Sequence, residues 1–156
     1  MINSRRTFLK ASMATSVIAV AAGAGLLAPR DVLAAWPKKA FDAKKIDAAL
    51  TALTGSSSMT NSNKITVEAP DIAENGAVVS VTVKTSIPNA ESISVLVGEN
   101  ASPLCASYIL TKQSEGFITG RIKMRKTSDV VAVVKAGGKL MSAKKPVKVT
   151  LGGCGG

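Results

Sequence analysis

From residue 64 onward the chain alternates apolar and polar side chains. Ile65, Val67 and Ala69 interleave with Lys64, Thr66 and Glu68, and Val79, Val81 and Val83 with Ser80, Thr82 and Lys84. Ile93, Val95 and Val97 interleave with Ser92, Ser94 and Leu96. A period of two sends successive side chains to opposite faces of an extended backbone, so each run predicts a half-buried strand. Leu104 to Leu110 predicts a fourth strand. Ile118, Ile122 and Met124, set among Thr119, Arg121, Lys123 and Arg125, predict a fifth. Val130 to Val134 predicts a sixth, and Val147, Val149 and Leu151 mark a last one. Turn formers stand between the runs: Pro70, Asn75-Gly76, Pro88, Gly98, Pro103, Gly116, Gly137-Gly138 and Pro146. Short strands punctuated in this way predict an all-β, immunoglobulin-like antiparallel β-sandwich over residues 64–151.

The period differs upstream. Ile46, Leu50 and Leu53 fall at i, i+4 and i+7, which predicts a short N-terminal helix over 42–53, with Asp42 as N-cap and Gly55 just past its end. The Ser, Thr and Asn of residues 56–63 read as a polar linker, so 35–63 forms an N-terminal segment ahead of the sandwich. Residues 1–34 read as a leader. Basic residues precede an apolar run from Ala11 to Ala28, and Val32-Leu33-Ala34 supplies small residues for cleavage after Ala34, or after Ala35. The run is short for a membrane span and is weakened by Gly23 and Gly25, so no stable membrane anchor is expected. Ser4-Arg5-Arg6-Thr7-Phe8-Leu9-Lys10 matches the twin-arginine consensus S-R-R-x-F-L-K, with Arg5 and Arg6 as its pair. That predicts export of the folded chain to the periplasm.

Composition narrows the chemistry. Among 156 residues there is no histidine, so no Ser-His or Cys-His pair and no His-ligated metal can form. Two cysteines, Cys105 and Cys154, are too few for a four-thiolate cluster, and the ten carboxylates are scattered. No metal and no cofactor is expected. The leader holds four of the twenty basic side chains and one of the ten acidic ones, so the remaining 122 residues carry a net +7. An exported protein meets no nucleic acid, and four aromatics beyond the leader make no base-stacking surface. The basic clusters, Arg121 to Lys126 among them, read as solvated surface or as attraction for anionic substrates or an acidic partner face.

The chain ends Gly152-Gly153-Cys154-Gly155-Gly156. Glycine reaches backbone conformations closed to other residues, so these positions read as a thin, flexible arm of at most about 17 Å when extended. An unpaired thiol exported to an oxidising compartment forms mixed disulfides unless something uses it. No Lys, His or helix start adjoins Cys154 in sequence to activate it. The arrangement reads as a carrier that presents a thiol for other proteins to activate, and not as an enzyme. Alternation puts Cys105 with Ser107 and Ile109, opposite Ala106, Tyr108 and Leu110, and apolar residues occur on both faces. Cys105 reads as a buried free thiol in preference to a bridge with Cys154. Leu96 and Ile109 are expected on faces away from the main core, where they would mark a partner interface.

Three stretches resemble one known family. The ending Val147-Lys148-Val149-Thr150-Leu151-Gly152-Gly153-Cys154-Gly155-Gly156 looks like the terminus of SoxY, the sulfur-carrier subunit of bacterial thiosulfate oxidation. Pro70-Asp71-Ile72-Ala73-Glu74-Asn75-Gly76-Ala77 resembles its P-x-I-A-E-N-G-A segment, and Arg121-Ile122-Lys123-Met124 its R-I-K-M strand. The resemblance implies that Cys154 carries sulfur covalently and that Gly152, Gly153, Gly155 and Gly156 form the swinging arm. It implies a heterodimer with a SoxZ-like β-sandwich subunit exported alongside. It implies a c-type cytochrome complex that couples thiosulfate to the thiol, and a manganese-dependent hydrolase that releases sulfate. Where present, a sulfane dehydrogenase would oxidise the remaining sulfur. Cys105 departs from the family pattern of one cysteine at the terminus.

Two other readings compete. One is an exported β-sandwich binding or structural module whose terminal cysteine only forms an intermolecular disulfide. The other is a ubiquitin-like carrier, which ends in Gly-Gly but works through its carboxylate. The leader and the all-β pattern count against the second, because activating a carboxylate consumes cytoplasmic ATP.

Overall fold

A computed structural model of the protein describes residues 37–151. Two short helices, α1 (Lys38–Asp42) and α2 (Ile46–Thr54), precede nine strands. These are β1 (Met59–Asn61), β2 (Ile65–Glu68), β3 (Ile72–Ala73), β4 (Val79–Thr85), β5 (Ala90–Val97), β6 (Leu104–Ile109), β7 (Phe117–Ile122), β8 (Ser128–Ala136) and β9 (Lys139–Val149). One sheet runs in the order β1-β9-β8-β5-β6, with β3 also paired to β9; the other runs β2-β4-β7. The expected immunoglobulin-like sandwich is thus present.

Alternation built the main core. Val79, Val81 and Val83 of the small sheet face Ile93, Val95, Val97, Val130, Ala132, Val134 and Val147 of the large one. The helices form a third layer on the outer face of the large sheet, where Ala40, Ala49 and Leu50 pack on Leu96, Leu104, Val133 and Leu140. Strands β5 and β8 are therefore buried on both sides, which explains their nearly unbroken apolar runs. Each fully buried Val, Leu or Ile in such layers contributes roughly 1.5–3 kcal/mol through the hydrophobic effect.

Several expectations are corrected. The helix expected over 42–53 is α2, which starts only at Ile46, and a separate short helix, α1, precedes it. Asp42 ends α1, where it pairs with Lys38 one turn earlier, and so does not cap the second helix. Extended residues Ala43 and Lys45 separate the two. Gly55 does close α2 in the left-handed region, at φ 86°, with its amide donating to the Thr51 carbonyl at 2.9 Å. The linker 56–63 contains β1, which pairs in parallel with Leu140–Ser142. The last strand begins at Lys139, not near Val147. Gly137 and Gly138, both at positive φ, make the two-residue turn from β8 into it. Pro146 lies inside β9, where its missing N–H is tolerated because β1 pairs no further than Ser142 and β3 pairs only from Lys148 onward. The sheets are antiparallel except for β1 and β3, which both run parallel to β9. Leu96 is buried under the helices, whereas Ile109 is 87% exposed.

Candidate functional site

Arg5, Arg6, Cys154, Gly152, Gly153, Gly155 and Gly156 all lie outside the described residues. What the structure provides is the platform from which the terminal segment departs. Strand β9 delivers the chain to Leu151, and three pieces of polypeptide hold it there.

The first is residues 70–77. Strand β3 pairs Ile72 with Lys148 and Ala73 with Val149. The Lys148 amide donates to the Asp71 carbonyl at 2.9 Å and the Thr150 amide to the Ala73 carbonyl at 3.1 Å. The Thr150 hydroxyl donates to the Glu74 carbonyl at 3.1 Å, and the Gly76 amide to the Leu151 carbonyl at 2.7 Å. The Asn75 side chain turns the segment by accepting from the Ala77 amide at 2.8 Å. At the other end Asp71 pairs with Lys145, whose hydrogen bond and charge hold the Asp71 carboxyl below its ordinary pKa.

The second piece follows β7. Met124, fully buried, donates its amide to the Gly76 carbonyl at 2.7 Å, so Gly76 bridges Leu151 and the Arg121–Arg125 stretch. The third is Thr127. Its hydroxyl oxygen accepts from the Val149 amide at 2.9 Å and donates to the Val149 carbonyl at 3.4 Å, in place of a neighbouring strand. The two internal stretches that carried the family resemblance thus meet at the base of the terminal segment. Nothing in their sequence spacing foretold this, since they lie about 45 residues apart in the chain.

Cys105 occupies a different place. A bulge makes it the extra residue between the pairs Ala106–Val95 and Leu104–Leu96. Its side chain packs against the sandwich core, while Ser107 pairs with Ser94 at 3.0 Å on the helix side, so the alternation that grouped Cys105 with Ser107 fails. The thiol is free and half-buried. It accepts from the Asn100 amide group at 3.5 Å and donates to the Pro103 carbonyl at 3.5 Å. Burial pushes its pKa from 9.0 to about 11, against the opposing pull of Asn100. It is a poor nucleophile, because only the thiolate attacks.

Sequence reasoning missed Asn100. Its Nδ2 donates to the Lys123 carbonyl at 2.7 Å and its Oδ1 accepts from the Arg125 amide at 2.9 Å. One side chain thereby ties the β5–β6 loop to the segment after β7. Among the described residues no group of three or more carboxylates, cysteines or histidines could hold a metal ion.

A family model described as sulfur oxidation protein SoxY matches residues 50–154. The chain belongs to the SoxY family. The solved structure of the sulfur carrier protein SoxY from Chlorobium limicola f thiosulfatophilum is similar at 46% identity and a TM-score of 0.63, covering 69% of this chain and 97% of that one. A lytic polysaccharide monooxygenase from Jonesia denitrificans matches at 15% identity and a TM-score of 0.39, over 52% of this chain and 58% of its own. An engineered protein matches at 16% and 0.38, over 56% of this chain and 20% of its own. These last two likenesses are too slight to inform function. The sequence matches none of the curated proteins. The SoxY match runs through the platform segments and ends on Cys154.

Proposed function

We propose that this SoxY-family chain is a periplasmic sulfur carrier of thiosulfate oxidation, holding its cargo on the Cys154 thiol. The observation that carries the reading is the clamped end of β9. Segment 70–77 and Thr127 bond to the last residues before Gly152, and Met124 bonds to Gly76 of that segment, so the terminal glycines and their one cysteine start from a fixed point. A tether raises the local concentration of its cargo at whatever pocket the arm enters. Loading forms one sulfur–sulfur bond: the Cys154 thiolate and thiosulfate join as a cysteine S-thiosulfonate, and two electrons pass to a c-type cytochrome. A manganese-dependent hydrolase then releases sulfate, and a sulfane dehydrogenase, where present, oxidises the remaining sulfur. The chain itself supplies presentation and no catalytic group. It works as a heterodimer with a SoxZ-like subunit, and Arg5-Arg6 direct its export in the folded state.

The experiment is mass spectrometry of the C-terminal peptide after incubation with thiosulfate and the coupling cytochrome. Wild type and Cys105→Ser should gain the adduct, and Cys154→Ser should fold normally and gain none. An adduct on Cys105, or none on Cys154, would refute the assignment. A terminal cysteine that yields only disulfide-linked dimers would favour the binding-module reading.

A further inference from the structure

Two stretches of chain enclose a set of cations that nothing above has used. Arg121, Lys123 and Arg125, together with Asn100, Ser102 and Cys105, line a surface pocket of about 280 Å³ between the β5–β6 loop and the residues that run on from β7. Ile122 and Met124 alternate with the three cations and are buried in the core, so Arg121, Lys123 and Arg125 share the outer face. Extended backbone brings same-face neighbours within about 7 Å of one another. Like charges at that spacing repel unless an anion stands among them. No carboxylate lines the pocket. Five ion pairs occur among the described residues, and none involves these three cations. Glu99, next to Asn100 in the chain, neither lines the pocket nor pairs with them.

The frame around the cations is fixed. The Asn100 side chain donates to the Lys123 carbonyl at 2.7 Å and accepts from the Arg125 amide at 2.9 Å, while the Met124 amide donates to the Gly76 carbonyl on the opposite edge. Residues 123–125 are thus held from both edges, and a ligand there would have no backbone to order. The Ser102 hydroxyl has no hydrogen-bond partner among the described residues and adds a neutral donor. Cys105 stays protonated near neutral pH and brings no negative charge. A guanidinium presents a planar fork that grips an oxyanion through two parallel N–H bonds, and an ammonium adds a compact point charge. The pocket therefore offers donors and positive charge, and no anionic group of its own.

We infer that this pocket binds a small free oxyanion without a covalent bond, and that thiosulfate or sulfate is its occupant. The site rests on the residues around it. The choice of sulfur oxyanions rests on the carrier reading, in which thiosulfate is consumed and sulfate released. About 280 Å³ is the liquid volume of roughly nine waters, room for one oxyanion with part of its hydration shell and too little for the face of an acidic protein. All three cations are exposed, so water and salt screen the attraction, and the ion exchanges quickly.

The test titrates the full mature chain, kept reduced, with sodium sulfate and with sodium thiosulfate. Sodium chloride holds the ionic strength constant, and backbone amide NMR signals are followed. Saturable shifts are expected at residues 100–102 and 121–125, with a dissociation constant on the order of 1–10 mM. Tighter binding of thiosulfate would mark the substrate ion as the occupant, and tighter binding of sulfate the product ion. Arg121→Gln/Lys123→Gln/Arg125→Gln should weaken binding by about tenfold or more. Lys64→Gln/Lys112→Gln/Lys139→Gln removes the same charge from the other end of the sandwich and should stay within about twofold of the parent. Cys154→Ser should bind as the parent does. Shifts that never saturate, or equal losses in the two triple variants, would overturn the inference, because only general screening would then remain. So would loss of binding in Cys154→Ser, which would make the ion a ligand of the terminal arm. If neither oxyanion binds and a triglutamate peptide shifts the same signals, the cations serve an acidic partner and the inference also falls. The titration needs neither cytochrome nor adduct. Failure of cytochrome-dependent loading would remove the carrier reading and leave the site, whereas failure here would leave the carrier reading intact.

Discussion

The amide of Gly76 donates to the carbonyl of Leu151 at 2.7 Å, and the carbonyl of the same glycine accepts from Met124 at the same distance. One residue thus joins the end of the last strand to the basic segment after β7. The two bonds fix the point at which the Gly-Gly-Cys-Gly-Gly terminus begins. A carrier arm needs such a root, because a thiol swinging from a frayed strand would spread over a larger volume and meet each partner pocket less often.

Thr127 should matter to that root. Thr127→Val keeps the shape of the side chain and removes the hydroxyl that serves both the amide and the carbonyl of Val149. The site is exposed, so water replaces part of the loss, and the expected cost is about 0.5–1.5 kcal/mol. Hydrogen exchange read at the Val149 amide should speed up, while exchange at the Val134 amide in the core should change only with global stability.

Asn100→Ala should destabilise the protein more. It leaves the Lys123 carbonyl and the Arg125 amide without their partner and removes the bond to the Cys105 sulfur. The expected loss is roughly 1–3 kcal/mol in urea unfolding. Asn100→Asp keeps the acceptor for Arg125 but loses the donor for Lys123, and should fall between alanine and wild type.

Cys105 should be inert near neutral pH and should shape stability in alkali. Thiol-reactive reagents at pH 7–8 should label Cys154 and leave Cys105 untouched until the chain unfolds. With a folded pKa of about 11 against an ordinary 9.0, the thiol ionises first in the unfolded chain. The unfolded state then binds fewer protons, so stability falls as pH rises between about 9 and 11. Cys105→Ala should flatten that part of the pH profile while lowering the plateau through lost packing. An unchanged slope would show that the thiol does not carry it.

Gly116→Ala should be costly for a reason unrelated to turn conformation. A Cβ there would sit 2.4 Å from the Thr85 carbonyl oxygen, a backbone atom that cannot swing aside. The same two residues are bonded through the Thr85 amide and the Gly116 carbonyl at 2.7 Å, so relief by moving apart breaks that bond. A loss of about 1–3 kcal/mol is expected, measured by thermal or urea unfolding.

Much of the sandwich was legible in the chain because a half-buried strand must alternate: Val79, Val81 and Val83 name their own face. The same rule failed at Cys105, where one bulge residue turned the face over. It was silent for β1 and β3, because three- and two-residue edge strands are too short to show a period. Asp42 was misread as a cap because the sequence could not say that Lys38 already held it. Pro146 looked like a strand terminator, and only the gap between β1 and β3 made it harmless.

For the site the division is sharper. The amino-acid order alone determined that a single cysteine stands among four glycines at the end of the chain, with no histidine anywhere to activate it. Residue type and covalent order suffice for that, since the chemistry of the thiol and the freedom of glycine are local properties. Tertiary structure alone decided what holds the base of the terminal segment. Residues 70–77 and Thr127 reach the end of β9 through backbone and hydroxyl hydrogen bonds, and Met124 reaches Gly76, and which groups meet is set by sheet register and loop path rather than by anything local in the sequence.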